Sequence, residues 1–370
     1  MANDFIVPYI DLPAQYKHNE KDLLNIFQKI ASSGQFILRE EVSILESKIS
    51  KYLNVKYAVG VNSGTDALFL SLKAAGIKEG DEVITVSHTF VATISTIVHC
   101  GAKPILVDIK QDGNIDPNKI EEAITKKTKA VVVVHMNGKA CDMDSILEIV
   151  NKNNLILIED AAQAFGATYK NKFAGTFGLC GAFSFHPMKV FGCMGDGGLV
   201  TTDDKDVYEK LLLLRNHGQK TKSELVMFGY NSRLDNLQAA MLLHKLTIFE
   251  EELKKRREVA KFYIDSLAST TEVKLPSFDE QNSRDVFSSF VIEAQDRDAL
   301  QEFLLKNKIE VAVHWATPNH KQKDLNLGKF TLENTENYAK NILSLPIHHL
   351  LDEAQMNLVV QKINEFYEKY

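Results

Sequence analysis

Lys189 lies in sequence surroundings that suit a lysine with a chemical role. It follows the aromatic segment 183–188, which Pro187 stiffens, and it precedes the glycine-rich turn Gly195-Asp196-Gly197-Gly198. The amine of a lysine is a nucleophile only when it is neutral, and burial or a nearby cation lowers its pKa by disfavouring the charged form. In an apolar pocket Lys189 could therefore form a Schiff base. The commoner alternative is a surface lysine whose stem covers apolar neighbours ahead of a tight turn.

Two acidic residues follow a short apolar run that predicts a buried strand. The run covers residues 155–158, and Glu159 and Asp160 come directly after it. In open α/β sheets ligands bind at the carboxyl ends of the strands, so Asp160 is predicted to face that crevice, where a carboxylate can pair with a protonated ring nitrogen. Because successive side chains of a strand point to opposite faces, Glu159 stays open to interpretation as a surface acid or a helix cap.

A small polar turn, Asn62-Ser63-Gly64-Thr65, leads directly into a run with helical spacing. The first backbone N–H groups of a helix have no partner within it, and the helix dipole adds positive potential there. A phosphate suits such a helix start, with Gly64 allowing close approach and Ser63 or Thr65 adding a hydroxyl. An ordinary helix cap is the more frequent meaning of this pattern.

Each of these three features is weak alone, but their order matches the requirements of one cofactor. Pyridoxal phosphate needs a lysine for the Schiff base, an acid at the ring nitrogen and a cup for the phosphate. The sequence offers Lys189, Asp160 and the turn at Gly64 for these roles. We therefore predict a pyridoxal 5'-phosphate site, with Lys189 and Asp160 as catalytic residues.

The elements that would position these residues alternate between strands and helices. Four continuous apolar runs predict strands buried on both faces, as in parallel sheets covered by helices: residues 83–86, 105–107, 131–134 and 155–158. Helical spacing at 65–75 and 144–150 places helices between them. The alternation predicts an α/β fold whose large domain has a mainly parallel, doubly wound sheet.

The pattern changes after Leu234. Neither Gly nor Pro interrupts residues 235–267, where apolar residues recur at helical spacing, and this predicts a long helix. A strand-like run at 286–292 and a further α+β unit follow. We therefore predict a large cofactor-binding domain over residues 1–250 and a smaller C-terminal α+β domain over residues 251–370.

Composition narrows the classes of function. The chain of 370 residues has 43 Lys+Arg against 49 Asp+Glu, mixed along its length, so we expect no basic face for nucleic acid. The four cysteines form no C-x-x-C pair and no cluster with histidine, which predicts reduced thiols and no metal site. The N-terminus has no secretory pattern and no apolar stretch is long enough for a bilayer, so we expect a cytoplasmic protein with no membrane association.

A series of collinear motifs makes the chain resemble the DegT/DnrJ/EryC1/StrS sugar aminotransferases, which have the aspartate-aminotransferase fold (fold type I). The motifs run from one end of the chain to the other: Pro8-Tyr9-Ile10-Asp11-Leu12, Ser63-Gly64-Thr65-Asp66-Ala67-Leu68, Glu159-Asp160-Ala161-Ala162-Gln163, Ser184-Phe185-His186-Pro187-Met188-Lys189, Gly195-Asp196-Gly197-Gly198, Tyr230-Asn231-Ser232-Arg233-Leu234-Asp235 and Leu345-Pro346-Ile347-His348.

The resemblance implies a role for each matching residue. Lys189 would carry the cofactor and then move protons, and Asp160 would pair with the pyridinium nitrogen. The other cofactor-binding roles fall to Gly64, Thr65 and Ser184 at the phosphate, Gln163 at the ring hydroxyl, Phe90 stacked on the ring, and Asn231 at the phosphate in the neighbouring subunit of a homodimer. His186, near the lysine, is the third candidate catalytic residue, placed to contact substrate, and a structural histidine is its alternative. Plain core packing is the alternative for Phe90.

The sequence also departs from many relatives of this family. Arg39 stands where many carry Gly, and Asn137-Gly138 where many carry Tyr-Gly; both departures concern the sugar site and leave the cofactor residues unchanged. A dehydrating branch of the family has histidine in place of the Schiff-base lysine, so the presence of Lys189 favours transamination.

The sequence therefore predicts a homodimeric transaminase that moves an amino group from an amino acid, with glutamate expected, to a nucleotide-linked keto-sugar. A pyridoxal-phosphate sugar dehydratase and a non-catalytic cofactor-binding regulator are the alternatives. Gly-Asp-Gly-Gly and Asn-Ser-Arg-Leu-Asp favour a 3-keto sugar, whereas His186 favours a 4-keto sugar. Loops around Arg39, His186 and His320 are expected to select the carbon through hydrogen bonds to sugar hydroxyls.

Overall fold

The computed structural model describes residues 5–278 and 283–369. The helices are α1 (Leu12–Ser33), α2 (Glu40–Leu53), α3 (Gly64–Ala74), α4 (Ala92–His99), α5 (Pro117–Ala123), α6 (Met143–Lys152), α7 (Lys205–Leu214), α8 (Asn236–Leu267), α9 (Arg297–Lys306), α10 (Glu333–Asn341) and α11 (Glu353–Lys369). The strands are β1 (Tyr57–Val61), β2 (Glu82–Val86), β3 (Lys103–Val107), β4 (Thr128–Val134), β5 (Ile156–Asp160), β6 (Thr168–Tyr169), β7 (Lys172–Phe173), β8 (Cys180–Ser184), β9 (Gly198–Thr202), β10 (Gln219–Thr221), β11 (Glu224–Leu225), β12 (Val273–Lys274), β13 (Ser283–Arg284), β14 (Phe290–Ala294) and β15 (Ile342–Leu345).

A seven-stranded sheet forms the centre of the molecule, in the order β1-β9-β8-β5-β4-β2-β3. Neighbouring strands from β3 to β8 are parallel, and β9 alone runs against them, between β8 and β1. The carboxyl ends of β1, β2, β5 and β8 therefore share one edge of the sheet. The prediction of an α/β fold with a mainly parallel sheet is confirmed.

The four apolar runs coincide with β2, β3, β4 and β5, and the predicted helices at 65–75 and 144–150 coincide with α3 and α6. All side chains of β2 are buried, and only Lys129 of β4 is exposed, because helices cover both faces of the sheet. Burial on both faces is the reason that these strands have continuous apolar runs in place of alternation.

A second, smaller sheet, β12-β14-β15, is antiparallel and packs with α9 and α11 around a separate hydrophobic core. The predicted boundary at residue 250 falls inside α8, which is continuous over 32 residues. Phe249 of α8 packs into the core beneath the large sheet, and Tyr263 of the same helix packs into the smaller core. Val7, at the other end of the chain, also belongs to the smaller core.

The strand-like run at 286–292 is wrong in its first half. Phe287 has a φ of 47°, in the left-handed region, so the chain turns there and the strand begins only at Phe290. Both Val286 and Phe287 are buried, but they pack into cores from an irregular segment. The apolar residues Val286 and Phe287 therefore indicate burial at this place but not a strand.

Candidate active site

A cavity of about 490 Å³ opens at the shared edge of the sheet, where β1, β5 and β8 end. Its wall brings together side chains and backbone from segments far apart in the sequence. Eight residues singled out by sequence line it: Gly64, Thr65, Phe90, Asp160, Gln163, Ser184, His186 and Lys189. The parallel strands explain the convergence, because each delivers the residues at and just after its carboxyl end to the same edge.

The turn before α3 is packed so tightly that glycine is required at two places. A Cβ added to Gly64 would lie 2.6 Å from Ser184 Cβ, and one added to Gly198 would lie 2.3 Å from the carbonyl oxygen of Ser63. Ser63 caps the helix by accepting the N–H of Asp66 at 3.1 Å. The result is a polar concavity of Ser63, Gly64 and Ser184 at a helix start, which suits a phosphate.

Asp160 is the last residue of β5 and is 5% exposed. Its Oδ2 accepts the hydroxyl of Thr93 at 2.7 Å and its Oδ1 accepts the backbone N–H of Ala162 at 3.2 Å. Burial raises the pKa of Asp160, while these two hydrogen bonds and the positive charge of Lys189 oppose the rise. A cationic ring nitrogen would compensate this buried carboxylate in the same way that Lys189 does.

Lys189 lies in the same cavity, and its Nζ has no hydrogen-bond partner among the residues that the structure describes. Burial lowers the pKa of Lys189, and the carboxylate of Asp160 opposes the shift. The neutral amine that covalent chemistry requires is therefore favoured by the surroundings of this lysine. The surface-lysine alternative does not describe its position.

Gln163 and Phe90 both line the cavity, but they differ in how far their side chains are exposed. Gln163 is buried and its Oε1 accepts the backbone N–H of Asn137 at 3.1 Å, which orients the amide in the cavity wall. Phe90 is 57% exposed and lines the cavity, so plain core packing does not account for it. Its ring is available to stack on a flat ligand.

Glu159 is neither a surface acid nor a helix cap, because it is fully buried and its carboxylate holds a loop together. It accepts the backbone N–H groups of Gly175, Phe177 and Gly178 at 2.6–2.7 Å, and it pairs with His135 Nε2 at 2.9 Å. A strand-end acid that points away from the cavity therefore stabilises the loop on the other face of the sheet.

We expect Glu159→Ala to lower the free energy of unfolding by about 3–5 kcal/mol, because three N–H groups and a buried histidine would lose their acceptor. Chemical denaturation of both proteins measures the difference. Glu148→Ala, an acid of α6 that is not buried, is the control and should change stability by less than about 0.5 kcal/mol. Equal stability of the two variants would contradict the role assigned to Glu159.

The remaining predicted site residues have different positions. His186 is exposed at the cavity wall, and its Nδ1 accepts the N–H of Met188 at 3.3 Å. Arg39 is exposed at the start of α2 and does not line the cavity. His320 is buried outside the lining, with Nδ1 2.7 Å from Ser87 Oγ and Nε2 3.2 Å from Glu336. Neither Arg39 nor His320 lines the cavity.

Asn231 also lies outside the cavity of its own subunit, exposed on the surface. The residue after it, Ser232, is buried and accepts the N–H of Asn62 at 3.4 Å. The segment that carries Asn231 is thereby tied to the turn that begins the phosphate concavity. The predicted contact with a neighbouring subunit stays a prediction.

Sequence reasoning missed one wall of the cavity, formed by Tyr9, Ser289, His314 and Trp315. The hydroxyl of Tyr9 lies 3.2 Å from Ser289 Oγ and 3.0 Å from His314 Nε2. Burial and the charge of Lys189 lower the pKa of His314, so the imidazole is neutral at pH 7. No local spacing in the sequence predicts this wall, because its residues come from the N-terminal segment and from segments next to the smaller core. The nearest signal for it in the sequence was Trp315, the single tryptophan.

The cavity meets the requirements of pyridoxal phosphate on the chain's own geometry. The concavity at Gly64 accepts a phosphate, the buried carboxylate of Asp160 lacks a full counter-charge, and Lys189 is an unpaired amine beside it. These three groups line one cavity, as the cofactor demands.

Comparison with known proteins agrees with this geometry. Residues 17–364 match the model of the DegT/DnrJ/EryC1/StrS aminotransferase family. The dTDP-3-amino-3,6-dideoxy-alpha-D-galactopyranose transaminase of Aneurinibacillus thermoaerophilus is 39% identical over 98% of this chain and 99% of its own. The UDP-2-acetamido-2-deoxy-3-oxo-D-glucuronate aminotransferase of Pseudomonas aeruginosa is 38% identical over 96% and 98%. A pleiotropic regulatory protein of Geobacillus stearothermophilus is 39% identical over 98% and 99%.

Solved structures give the same result. DesV of S. venezuelae, in complex with a ketimine intermediate, superposes with a TM-score of 0.94 at 36% identity, over 97% of this chain and 98% of its own. NtdA of Bacillus subtilis, with bound PMP cofactor, superposes with a TM-score of 0.91 at 31% identity, over 97% and 84%. The fold is therefore that of the fold type I aminotransferases. The chain belongs to the DegT/DnrJ/EryC1/StrS aminotransferase family and is an enzyme that uses pyridoxal 5'-phosphate.

Proposed function

We propose that the enzyme transfers the amino group of an amino acid, with glutamate as the donor, to a nucleotide-linked 3-keto sugar. The observation that carries this proposal is the presence of Lys189 and Asp160 in one cavity beside the phosphate concavity. The names of two relatives support a nucleotide-linked sugar as the substrate, since these proteins are named for 3-amino or 3-oxo nucleotide sugars.

Each polar group of the cavity has a task in such a transfer. When bound, pyridoxal phosphate supplies an electron sink that makes the α-hydrogen of the amino acid removable. Nζ of Lys189 takes that proton and returns it, and its lowered pKa lets the amine be neutral when it must accept. The carboxylate of Asp160, oriented by Thr93 and Ala162, holds a proton at the ring nitrogen.

The sugar would contact Tyr9 and His314, which belong to the wall that the sequence did not predict, and His186 of the same cavity. Tyr9 and Ser289 are joined by a hydrogen bond, and His314 is neutral, so this wall offers hydroxyl and imidazole groups that suit sugar hydroxyls. Because Arg39 and His320 do not line the cavity, we assign the choice of sugar carbon to this wall in their place.

Matched nucleotide sugars test the choice of carbon. With glutamate as the donor, a 3-keto substrate is expected to show a kcat/KM at least about tenfold above that of its 4-keto isomer, because an ill-placed buried hydroxyl leaves polar groups unpaired. NMR of the product locates the new amine. Both dTDP-linked and UDP-linked sugars are offered, so that a preference for one nucleotide base is not mistaken for a preference for one keto position. Amination only at C4 would overturn the 3-keto assignment and leave the cofactor site in place.

The same assay separates an enzyme from a regulator. A relative is named as a regulatory protein, and a chain that only sensed the cofactor would load it and not turn over. Conversion of the bound cofactor by glutamate, followed by release of an amino-sugar, would exclude that alternative.

We propose further that the enzyme is a homodimer in which each active site receives Asn231 from the other subunit. Large apolar side chains stand exposed on and after α1 and near the β10–β11 hairpin, among them Phe27, Phe36 and Phe228, and exposed apolar surface of this kind marks interfaces. The exposed position of Asn231, outside its own cavity, is compatible with a contact across subunits.

Mixing two inactive variants tests this arrangement. Lys189→Ala and Asn231→Ala are expected to be inactive or weakly active alone, but subunit exchange would produce heterodimers with one fully native site. With equal amounts and random exchange, activity should return to about a quarter of the wild-type value, because half of the dimers would be mixed and each would have one native site of two. Exchange shown by mass spectrometry without any return of activity would refute the shared site.

A further inference from the structure

A second cavity, of about 200 Å³, adjoins the active site without being part of it. Ser289 lines both cavities, and Asn137, which lines the second, donates its backbone N–H to Gln163 in the wall of the first. Its size lies below the ~300 Å³ at which sites for drug-sized ligands begin, so a nucleotide sugar does not fit. Any occupant must be small.

The charges of this second cavity do not balance. Three acids and two lysines line it. Lys139 lies 3.7 Å from Asp112, and Lys274 lies 2.6 Å from Glu293. Both lysines thus have an acidic partner, and Asp285 is the lining acid that forms no ion pair among the described residues, although Ser283 hydrogen-bonds to its carboxylate and the charges of Lys139 and Arg257 act on it.

Asp285 is buried, at 5% exposure, and its Oδ1 has no hydrogen-bond partner within residues 5–278 and 283–369. Burial raises the pKa of its carboxyl to about 6, which leaves it mostly ionised at pH 7. A buried carboxylate oxygen without a partner is costly, and such groups are ordinarily satisfied by a ligand, an ion or water. Oδ1 of Asp285 therefore lacks a hydrogen-bond donor in the second cavity, and a positively charged donor would suit it.

The rest of the wall restricts which cation can meet that demand. It is largely apolar, from Met136, Leu275, Phe287, Val291 and Tyr338. Hard metal ions need six or more oxygen ligands, and no group of three or more His, Cys, Asp or Glu that could hold a metal occurs in the part of the chain that the structure describes. An organic ammonium group, with a short carbon chain against the apolar wall, matches both features.

We propose that this second cavity binds a small aliphatic primary ammonium compound through Asp285. The lining carboxylate that lacks an ion pair among the described residues favours a monocation over a zwitterionic amino acid, whose carboxylate would find both lysines already paired. The ligand class therefore differs from that of the amino donor. A compound held there lies in a cavity lined by Asn137, whose backbone N–H donates to Gln163.

Calorimetry on the holoenzyme tests this proposal. Borohydride first fixes the cofactor to the protein, so that an added amine cannot react with it in the active site. The probes are n-butylammonium, norvaline and 1-pentanol, which share a short carbon chain and differ in charge. Saturable binding of n-butylammonium is expected at one site per chain, at least about tenfold tighter than norvaline or 1-pentanol, because the hydrogen bond to a charged acceptor is the main attraction.

Asp285→Asn should weaken n-butylammonium binding by at least about tenfold. Asp144→Asn, which removes the same charge from an exposed acid paired with Lys170, should leave it unchanged. Val291→Met, which narrows the second cavity without a change of charge, gives an independent variant and should also weaken binding. Thermal unfolding verifies that each variant is folded. Equal binding by wild type and Asp285→Asn, equal binding of 1-pentanol, or no saturable binding of n-butylammonium would each overturn the proposal.

Discussion

Lys189→Ala is expected to lower kcat by about 10³-fold or more while the protein still folds and binds pyridoxal phosphate. The variant loses the amine that moves the proton, but it keeps the concavity at Gly64 and the carboxylate of Asp160. Steady-state kinetics gives the change in kcat, and the visible absorption of the bound cofactor reports loading. Small primary amines should restore part of the activity, because they can take the place of the lost amine in the cavity.

Lys210 provides the matched control, since its Nζ donates to the carbonyl oxygen of Ala74, away from the cavity. Lys210→Ala should retain wild-type kcat within about twofold, as is usual for changes remote from an active site. Borohydride treatment of the wild type should leave the cofactor on the peptide that contains Lys189. Attachment to another lysine, or normal turnover of Lys189→Ala, would be incompatible with the assignment.

Asp160→Asn is expected to lower kcat by about 10²-fold or more, because the neutral amide keeps the shape of the carboxylate and removes the charge that holds a proton at the ring nitrogen. It should also lower the pKa of Lys189 further, since the charge of Asp160 raises that pKa in the native protein. The pH dependence of cofactor loading, which requires the neutral amine, measures this second effect: loading should extend to lower pH in the variant.

Asp196→Asn removes a charge of the same sign from the wall of the same cavity, where Asp196 is exposed. Exposed charges are screened by water, so this control should change kcat by less than about tenfold. If the two variants were impaired equally, the effect would follow from the net charge of the cavity, and the specific role of Asp160 would have to be abandoned.

The sequence was most informative where local patterns determine structure. Continuous apolar runs located β2 to β5, because burial on both faces leaves no polar positions, and the sheet edge then placed Asp160 and Lys189 in one cavity. The strands β8 and β9 were not predicted, because Gly181, required by tight packing, interrupts the apolar pattern of β8, and β9 has only Leu199 and Val200 as apolar residues.

Contacts between distant segments explain what the sequence did not predict. The cavity wall proposed to contact the sugar depends on Tyr9, which reaches His314 across 305 positions of sequence through a hydrogen bond and a ring contact. His320 looked like a substrate ligand because it is polar and stands in a loop, but its two ring nitrogens are engaged by Ser87 and Glu336. Glu159 was expected to be a surface acid or a helix cap, because alternation gives the direction of a side chain and not what lies on that side.

The continuous helix α8 has a consequence for how this enzyme can change in evolution. Its 32 residues make a rod of about 48 Å, and Phe249 and Tyr263 anchor it in different cores. A crossover between two related genes at residue 250 would keep each half of the helix with the core it packs into, because Phe249 stays with the larger core and Tyr263 with the smaller one. A junction before Asn236 or after Leu267 would instead carry one half of the helix into a core from another protein, so exchange of the C-terminal third should succeed best at a junction inside α8, between Phe249 and Tyr263.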